Sequence, residues 1–246
     1  MAVPGGALAG AAVSAAALAG IVDDFVSGLP MSESTAMGVV VAMRRVVRVS
    51  APRITVPADV AAISTILIVH IQAGARAATP RDAADRLYEA AARSSGAYPA
   101  SASPALTREY GLARALAAGV ETACLGEAFL AEARTAFPDR QAATEARNRI
   151  TAAMDGATDR IAAILGQPTI AVLSAAAREC SAFLVRNAAD LQPIVSVDAM
   201  RSYPSTAVAW ALYGDPQRAG ELIERNRVGT PLFMPASIEA ISPKAS

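Results

Sequence analysis

The chain has 246 residues, which allows one large domain or two small ones with a substantial core. Its 22 basic and 22 acidic residues balance, so net charge gives no general attraction to DNA or to anionic lipid. Apolar residues make up 53% of the chain, much of this fraction is Ala, and aromatic residues are only 4%. Because Ala is the strongest helix former, this composition predicts a mostly helical protein with closely packed helices.

The first predicted helix covers residues 5–28 and carries no charge between residues 5 and 22. A secretory signal peptide would need a basic segment before this apolar stretch, and none stands there. The stretch is rich in Ala and Gly and lacks the Leu and Phe content of a strong membrane-spanning helix. We therefore expect it to be covered by protein, from this chain or a neighbouring copy, without stable membrane insertion. A membrane element is the alternative.

The second predicted helix, 33–49, carries the strongest basic cluster of the chain. Arg44, Arg45 and Arg48 fall on one face, opposite a stripe of Val residues. These three arginines are the candidate phosphate contacts. A solvated or partner-facing amphipathic helix would explain the same pattern without DNA.

The third predicted helix, 57–77, begins at a proline that suits a first turn. It is apolar nearly all round, which predicts burial on most sides, and it contains the only histidine, His70, as a packed core residue. Breakers and caps then delimit four more long helices. Their predicted ranges are 79–95, 104–135, 139–165 and 168–189.

Chemistry-bearing motifs are absent from the sequence. It contains no P-loop, GxGxxG, HExxH or GxSxG pattern, and Cys124 and Cys180 lie far apart on predicted helices without a nearby histidine. We therefore expect two buried free thiols, no metal site, no cofactor and no enzymatic activity.

Beyond residue 193 the sequence changes from helical to strand periodicity. Alternating β-branched residues predict a strand from Ile194, followed by a short helix that ends at Tyr213 and a turn at Gly214. Asp215 and Pro216 are expected to start a second helix through residues 221–226. The segment 237–241 is expected to form the last strand.

Specific packing is expected within this C-terminal segment. Trp210 and Leu212 are predicted to point inward, together with Leu222 and Ile223. Phe233 and Pro235 are predicted to position the last strand. Asn226 is expected to end the second helix and to bond to the nearby backbone.

These C-terminal residues carry a resemblance to a known family. The motifs are Tyr203-Pro204, AWALYGD at 209–215, ERNRV at 224–228 and PLFMP at 231–235. They resemble a LysM-like βααβ module and, more specifically, the C-terminal end of the DNA-circularisation (N) proteins of Mu-like tailed phages. In that family the module acts as a protein-binding clamp in the tail baseplate.

The resemblance implies a mainly α protein, in which an Ala-rich helical bundle (1–190) is followed by a small α+β, LysM-like domain (193–243). It also implies a structural protein of the tail baseplate or hub, located in the virion and in the host cytoplasm during assembly. Its expected partners are copies of itself in a three- or six-fold ring and the tail tube, hub and baseplate proteins. The residues expected to contact partners are Tyr203, Pro204, Trp210, Tyr213, Asn226 and Phe233.

Two other functions follow from the same resemblance. The family name implies a protein that binds and circularises injected DNA, although zero net charge predicts only weak DNA contact. The LysM skeleton implies a peptidoglycan-binding module. However, the usual GD[ST] is replaced by residues 202–206, and the usual PG by Pro235-Ala236. The β-rich N-terminal domain of these phage proteins is also missing, so we expect a split gene or a shortened relative.

Overall fold

The computed structural model describes residues 5–243, so the first four residues of the predicted helical domain and the last three of the chain lie outside the described part. The predicted fold class is confirmed, since the protein is mostly helical with a small two-stranded antiparallel sheet near the C-terminus. The strands are β1 (Ile194–Asp198) and β2 (Ser237–Ile241). The helices are α1 (Gly5–Ser27), α2 (Glu33–Arg45), α3 (Pro57–Ala77), α4 (Pro80–Ser94), α5 (Pro104–Glu109), α6 (Gly111–Arg134), α7 (Arg140–Leu165), α8 (Gln167–Ala189), α9 (Ser205–Tyr213) and α10 (Ala219–Arg225).

The chain divides into two compact units. Among the described residues, the helical unit comprises 5–135 and 148–183, and the C-terminal unit comprises 136–147 and 184–243. The C-terminal unit thus contains the predicted module and, in addition, the segment that starts α7 and the last residues of α8. Helices α7 and α8 each contribute residues to both units.

Helix α6 lies at the centre of the helical unit and packs against α1, α3 and α4. Its buried side chains are mostly small, which lets neighbouring helices approach closely, and Phe129 is its largest buried side chain. Helix α1 buries a stripe of Ala11, Ala15, Leu18 and Val22 within this unit. One face of α1, whose residues 5–22 carry no charge, is therefore covered by the chain's own helices.

Three helices of the described chain are nevertheless long and apolar enough to cross a membrane by length and composition: Gly6–Ser27, Pro57–Ala77 and Gln167–Ala189. The prediction that α3 is buried on most sides is wrong. Its buried residues Val60, Ile63, Leu67 and Ile71 form a single stripe, and Val69 on the opposite side is exposed. Helix α3 packs against α1, α2, α4 and α6, and these neighbours leave the side that carries Val69 uncovered.

The predicted helix 104–135 is interrupted at Tyr110, where α5 ends and α6 begins. The Tyr110 ring packs on Gly10 of α1, where a Cβ atom would come within 2.6 Å of the ring. Glycine therefore allows this close approach. The other long helices fall within two residues of their predicted bounds, except that α2 ends at Arg45 and continues as a π-helical turn over Val46–Ser50.

Two ion pairs connect α6 with the part of α7 in the helical unit. Arg149 lies 2.8 Å from the carboxylate of Glu132, and Arg160 bonds to the carboxylate of Glu121. The members of each helix are eleven residues apart, about three helical turns, and the pairing runs in opposite directions along the two helices. This spacing places both pairs along one antiparallel helix contact.

In the C-terminal unit, β1 pairs with β2 so that Ile194 is opposite Ile241 and Asp198 is opposite Ser237. The helices α9 and α10 lie between these strands in the chain, which gives the predicted βααβ order. Their packing against the sheet forms a small core. Its buried members are Val208, Ala209, Ala219, Leu222, Met234, Ile238 and Ala240.

Candidate functional site

The turn between α9 and α10 contains the glycine and the helix-capping residues predicted from the sequence. Gly214 ends α9 in the left-handed conformation with φ of +68°, which glycine adopts without strain. The Asp215 carboxylate accepts a 2.9 Å hydrogen bond from the Gln217 N–H, and Pro216 opens a short 3₁₀ turn before α10. These residues hold α9 and α10 in a fixed relation on the sheet.

The orientation of α9 overturns one prediction. Ser205, Val208, Ala209 and Leu212 face the core at the spacing of a helical stripe, and Leu212 packs inward as expected. Trp210 falls on the other side of the helix and is 63% exposed. The inward assignment of Trp210 is wrong because a helix can bury only one stripe on this small sheet. The spacing of residues 205, 208, 209 and 212 is the sequence signal that indicates the correct face.

The loops around α9 expose further large side chains. Tyr203 is 45% exposed, Phe233 is 67% exposed and Pro204 is also exposed. The prediction that Phe233 and Pro235 position the last strand is wrong, because both are exposed. Three backbone hydrogen bonds hold these loops instead. They run from the N–H groups of Met234, Ser205 and Ala199 to the carbonyls of Tyr203, Pro231 and Ala236, respectively.

Tyr213 is half-buried at the end of α9. The guanidinium of Arg218 lies over its ring at 3.7 Å from the centroid, a cation–π contact, and Arg218 also bonds to the carboxylate of Glu221. Burial, followed by the negative charge of Glu221, raises the pKa of the Tyr213 hydroxyl. Tyr213 is thus held by contacts within the chain.

Asn226 forms the local bonds expected of it. Its Nδ2 donates to the carbonyls of Leu222 and Glu239, each at 2.9 Å, and its Oδ1 accepts from the Glu239 N–H at 2.8 Å. The side chain joins the end of α10 to β2. Its described role is therefore structural, although it belongs to the predicted partner-binding set.

The six predicted partner-binding residues do not form one surface. Tyr203, Trp210 and Phe233 are exposed side chains, and the exposed Pro204 follows Tyr203 in sequence. Tyr213 and Asn226, in contrast, are engaged within the chain. Sequence reasoning missed two further exposed side chains in the same loops, Met200 and Leu232. It also missed an apolar groove of about 370 Å³ in this unit. The groove is lined by Val197, Ala199, Tyr203, Ala207, Val208, Ala211, Leu212 and Ile238.

The basic cluster of the helical unit is solvent-facing. Arg44 and Arg45 occupy the last turn of α2, and Arg48 lies in the π-helical turn that follows. All three are exposed, and no ion pair or hydrogen bond engages their side chains within residues 5–243. Basic residues at a helix C-terminus are favoured by the helix dipole, which accounts for their position without a ligand.

The remaining candidate residues lie in the helical unit. Cys124 and Cys180 are buried free thiols, as predicted, and burial raises the pKa of Cys124 to about 12. His70 is half-buried, not fully packed in the core, and its Nδ1 lies 2.7 Å from the Ile66 carbonyl. Across the described part of the chain, no group of three or more His, Cys, Asp or Glu residues is placed to hold a metal ion.

No protein family model matches this chain, and no curated protein matches it.

Proposed function

We propose that this protein is a structural component of a bacteriophage tail, positioned at the baseplate or hub. It would bind copies of itself in a three- or six-fold ring, and neighbouring tube, hub and baseplate proteins. The observation that carries the proposal is the βααβ unit with exposed Tyr203, Trp210 and Phe233. This unit has the element order that the resemblance to phage N proteins implies, and three of its four aromatic side chains are exposed.

The exposed aromatic residues support a protein-binding role. Aromatic and Met side chains are enriched in the centres of protein interfaces, where their burial supplies much of the binding energy. In this unit Met200 and Leu232 add to the same exposed apolar set. The helical unit also exposes apolar side chains, including Met37 and Val41 on α2 and Val172 on α8. Both units therefore offer surface for contacts in an assembly.

A second candidate function is binding to phage DNA. It is favoured by one observation, the three exposed and unpaired arginines at the end of α2. With three phosphate contacts, the logarithm of the binding constant would fall with the logarithm of the salt concentration, with a slope of about 0.9 for each contact. The formal net charge of +0 limits this to weak, nonspecific contact unless the cluster acts locally.

The test is incorporation into tails. Full-length tagged protein would be supplied to infected host cells, and purified tails would be analysed by mass spectrometry and located by cryo-electron microscopy. The double variant Tyr203→Ala/Trp210→Ala should enter tails at least tenfold less than the natural chain. Thr206→Ala, an exposed change on the same helix, should enter normally. Absence of the natural chain from tails would overturn the proposal.

Two parallel assays separate the other functions. Submicromolar binding to duplex DNA ends that is lost in Arg44→Ala/Arg45→Ala/Arg48→Ala would favour the DNA function. Retention on purified peptidoglycan, released by soluble glycan fragments, would favour glycan binding. Either result without incorporation into tails would replace the structural role.

A further inference from the structure

The two outer edges of the small sheet differ in their backbone bonding. The Ala199 N–H donates a 2.6 Å hydrogen bond to the Ala236 carbonyl, and the Ser242 N–H donates a 2.8 Å hydrogen bond to the Pro193 carbonyl. These two bonds identify the residues whose backbone groups point toward the partner strand. In an antiparallel pair, alternate residues bond to the partner strand and the others point away from it. With the observed register, the N–H and C=O groups of Ile194, Ser196 and Asp198 therefore point to the free edge of β1.

The free edge of β2 is closed at its centre. Its outward-pointing middle residue is Glu239, and the Asn226 side chain bonds to both backbone groups of that residue. On β1, no hydrogen bond within the described chain engages the outward groups of Ile194, Ser196 or Asp198. Exposed strand edges are templates for pairing with another strand unless they are blocked. The edge of β2 is thus blocked at its centre, whereas the edge of β1 is open within the described chain.

The open edge belongs to the strand that lines the apolar groove. Val197 of β1 lies on one wall of the groove, and Ala207 and Ala211 of α9 lie on the other. Val195 and Val197 are only half-buried, although they lie on the sheet face that carries the buried Ile238 and Ala240. A strand added at this edge would place alternate side chains on the same face, beside α9.

We propose that the occupant is β1 of a second copy of this chain, paired antiparallel so that Ser196 faces Ser196. The sequence Ile194-Val195-Ser196-Val197-Asp198 is nearly symmetric about its centre. In this register, Val195 of each chain is opposite Val197 of the other, on the face of the sheet packed by α9. The two Asp198 carboxylates lie at opposite ends, so like charges are not opposed. About six backbone hydrogen bonds would join the strands.

The pairing goes beyond the proposed tail function and does not depend on it. It is two-fold symmetric and joins subunits in pairs, whereas a three- or six-fold ring requires a different, head-to-tail contact. The two contacts could therefore occur in the same assembly through different surfaces.

The first test is sedimentation velocity of the full-length chain at several concentrations. The natural chain is expected to form a dimer. Ser196→Pro removes an outward N–H without removing a bond to β2, and Ala211→Glu places a charge in the groove. Each should weaken the dimer at least tenfold. Ser196→Thr and Thr206→Glu, the matched controls, should leave it unchanged. A monomeric natural chain, or a dimer unaffected by both disruptive variants, would overturn the proposal.

A second test does not depend on the tolerance for proline. Directly opposed residues that exchange backbone bonds have Cα atoms about 5.5 Å apart, within disulfide range. Ser196→Cys should therefore form a disulfide-linked dimer on mild oxidation. Ser237→Cys, an exposed serine on β2, is the matched control and should link much more slowly. The buried Cys124 and Cys180 should not compete. Equal linking rates in the two variants would contradict the β1 pairing.

Discussion

Arg225 of α10 donates a 2.9 Å hydrogen bond to the carboxylate of Asp139, the residue immediately before α7. Both side chains are largely buried, with exposed fractions of 15% and 4%. The second oxygen of Asp139 accepts a hydrogen bond from the Ala142 N–H and so caps the start of α7. One carboxylate thus joins two parts of the C-terminal unit that are more than eighty residues apart in sequence.

Replacing Asp139 by Ala should destabilise the C-terminal unit by about 3–5 kcal/mol, since it leaves the Arg225 cation buried without its partner. The helix cap would be lost as well. Asp139→Asn keeps a capping oxygen and should cost less than Asp139→Ala. Hydrogen exchange of the α9, α10 and β2 amides would measure the effect. Equal protection in Asp139→Ala and the natural chain would contradict the stabilising role of this pair.

This relationship shows where sequence reasoning reaches its limit. Pro138 and Asp139 could be read as a helix start, because capping depends on neighbouring residues only. The partner of Asp139 depends on the tertiary fold, so the sequence did not indicate that residues 136–147 join the C-terminal unit. The bounds of most long helices were predictable because prolines and capping residues act on their immediate neighbours in the sequence.

The inward position predicted for Trp210 would make this residue important for stability, whereas its observed exposure implies that replacing it costs little. Trp210→Ala should change the free energy of unfolding by no more than about 0.5 kcal/mol, as is typical of surface substitutions. Leu222→Ala should cost about 2–5 kcal/mol, because Leu222 is fully buried in the core of the unit. Limited proteolysis between residues 193 and 243 would compare the variants. Faster cleavage of Trp210→Ala than of Leu222→Ala would contradict the observed packing.

Predicting the candidate site was harder than predicting the elements that carry it. The order of strands and helices followed from periodicity and from Gly214, Asp215 and Pro216. The large size and apolar character of Trp210 suggested burial, but the face of α9 is set by Val208 and Leu212 together. The open edge of β1 could not be predicted, because it depends on which backbone groups Asn226 bonds across the fold.

The ion pair between Arg160 and Glu121 should show energetic coupling. The Glu121 side chain is 3% exposed, so Arg160→Met leaves a buried carboxylate without its cation and should cost about 3–5 kcal/mol. Adding Glu121→Gln removes the stranded charge and should recover part of that loss. Chemical denaturation of the two single variants and the double variant would give the coupling energy. Strictly additive effects would argue against the pair.

An exposed ion pair on α4 provides a control for the measurement on Arg160 and Glu121. Arg86 and Glu89 form an ion pair in which both side chains are about half exposed. Because solvent screens this pair, Arg86→Met should change stability by less than about 1 kcal/mol. A loss as large as that of Arg160→Met would mean that burial does not determine the strength of these contacts.

The cysteine thiols should resist modification in the folded protein. Burial, with smaller contributions from the nearby Glu121 and Glu127 charges, raises the pKa of Cys124 to about 12. Burial likewise raises the pKa of Cys180. Only the thiolate is nucleophilic, so at pH 8 the folded chain should react with Ellman's reagent far more slowly than the chain in guanidinium chloride. The folded rate should increase as pH rises toward the raised pKa values, because deprotonation then becomes possible. One fast-reacting thiol per folded chain at pH 8, abolished by Cys124→Ser, would contradict the burial of α6 at the centre of the helical unit.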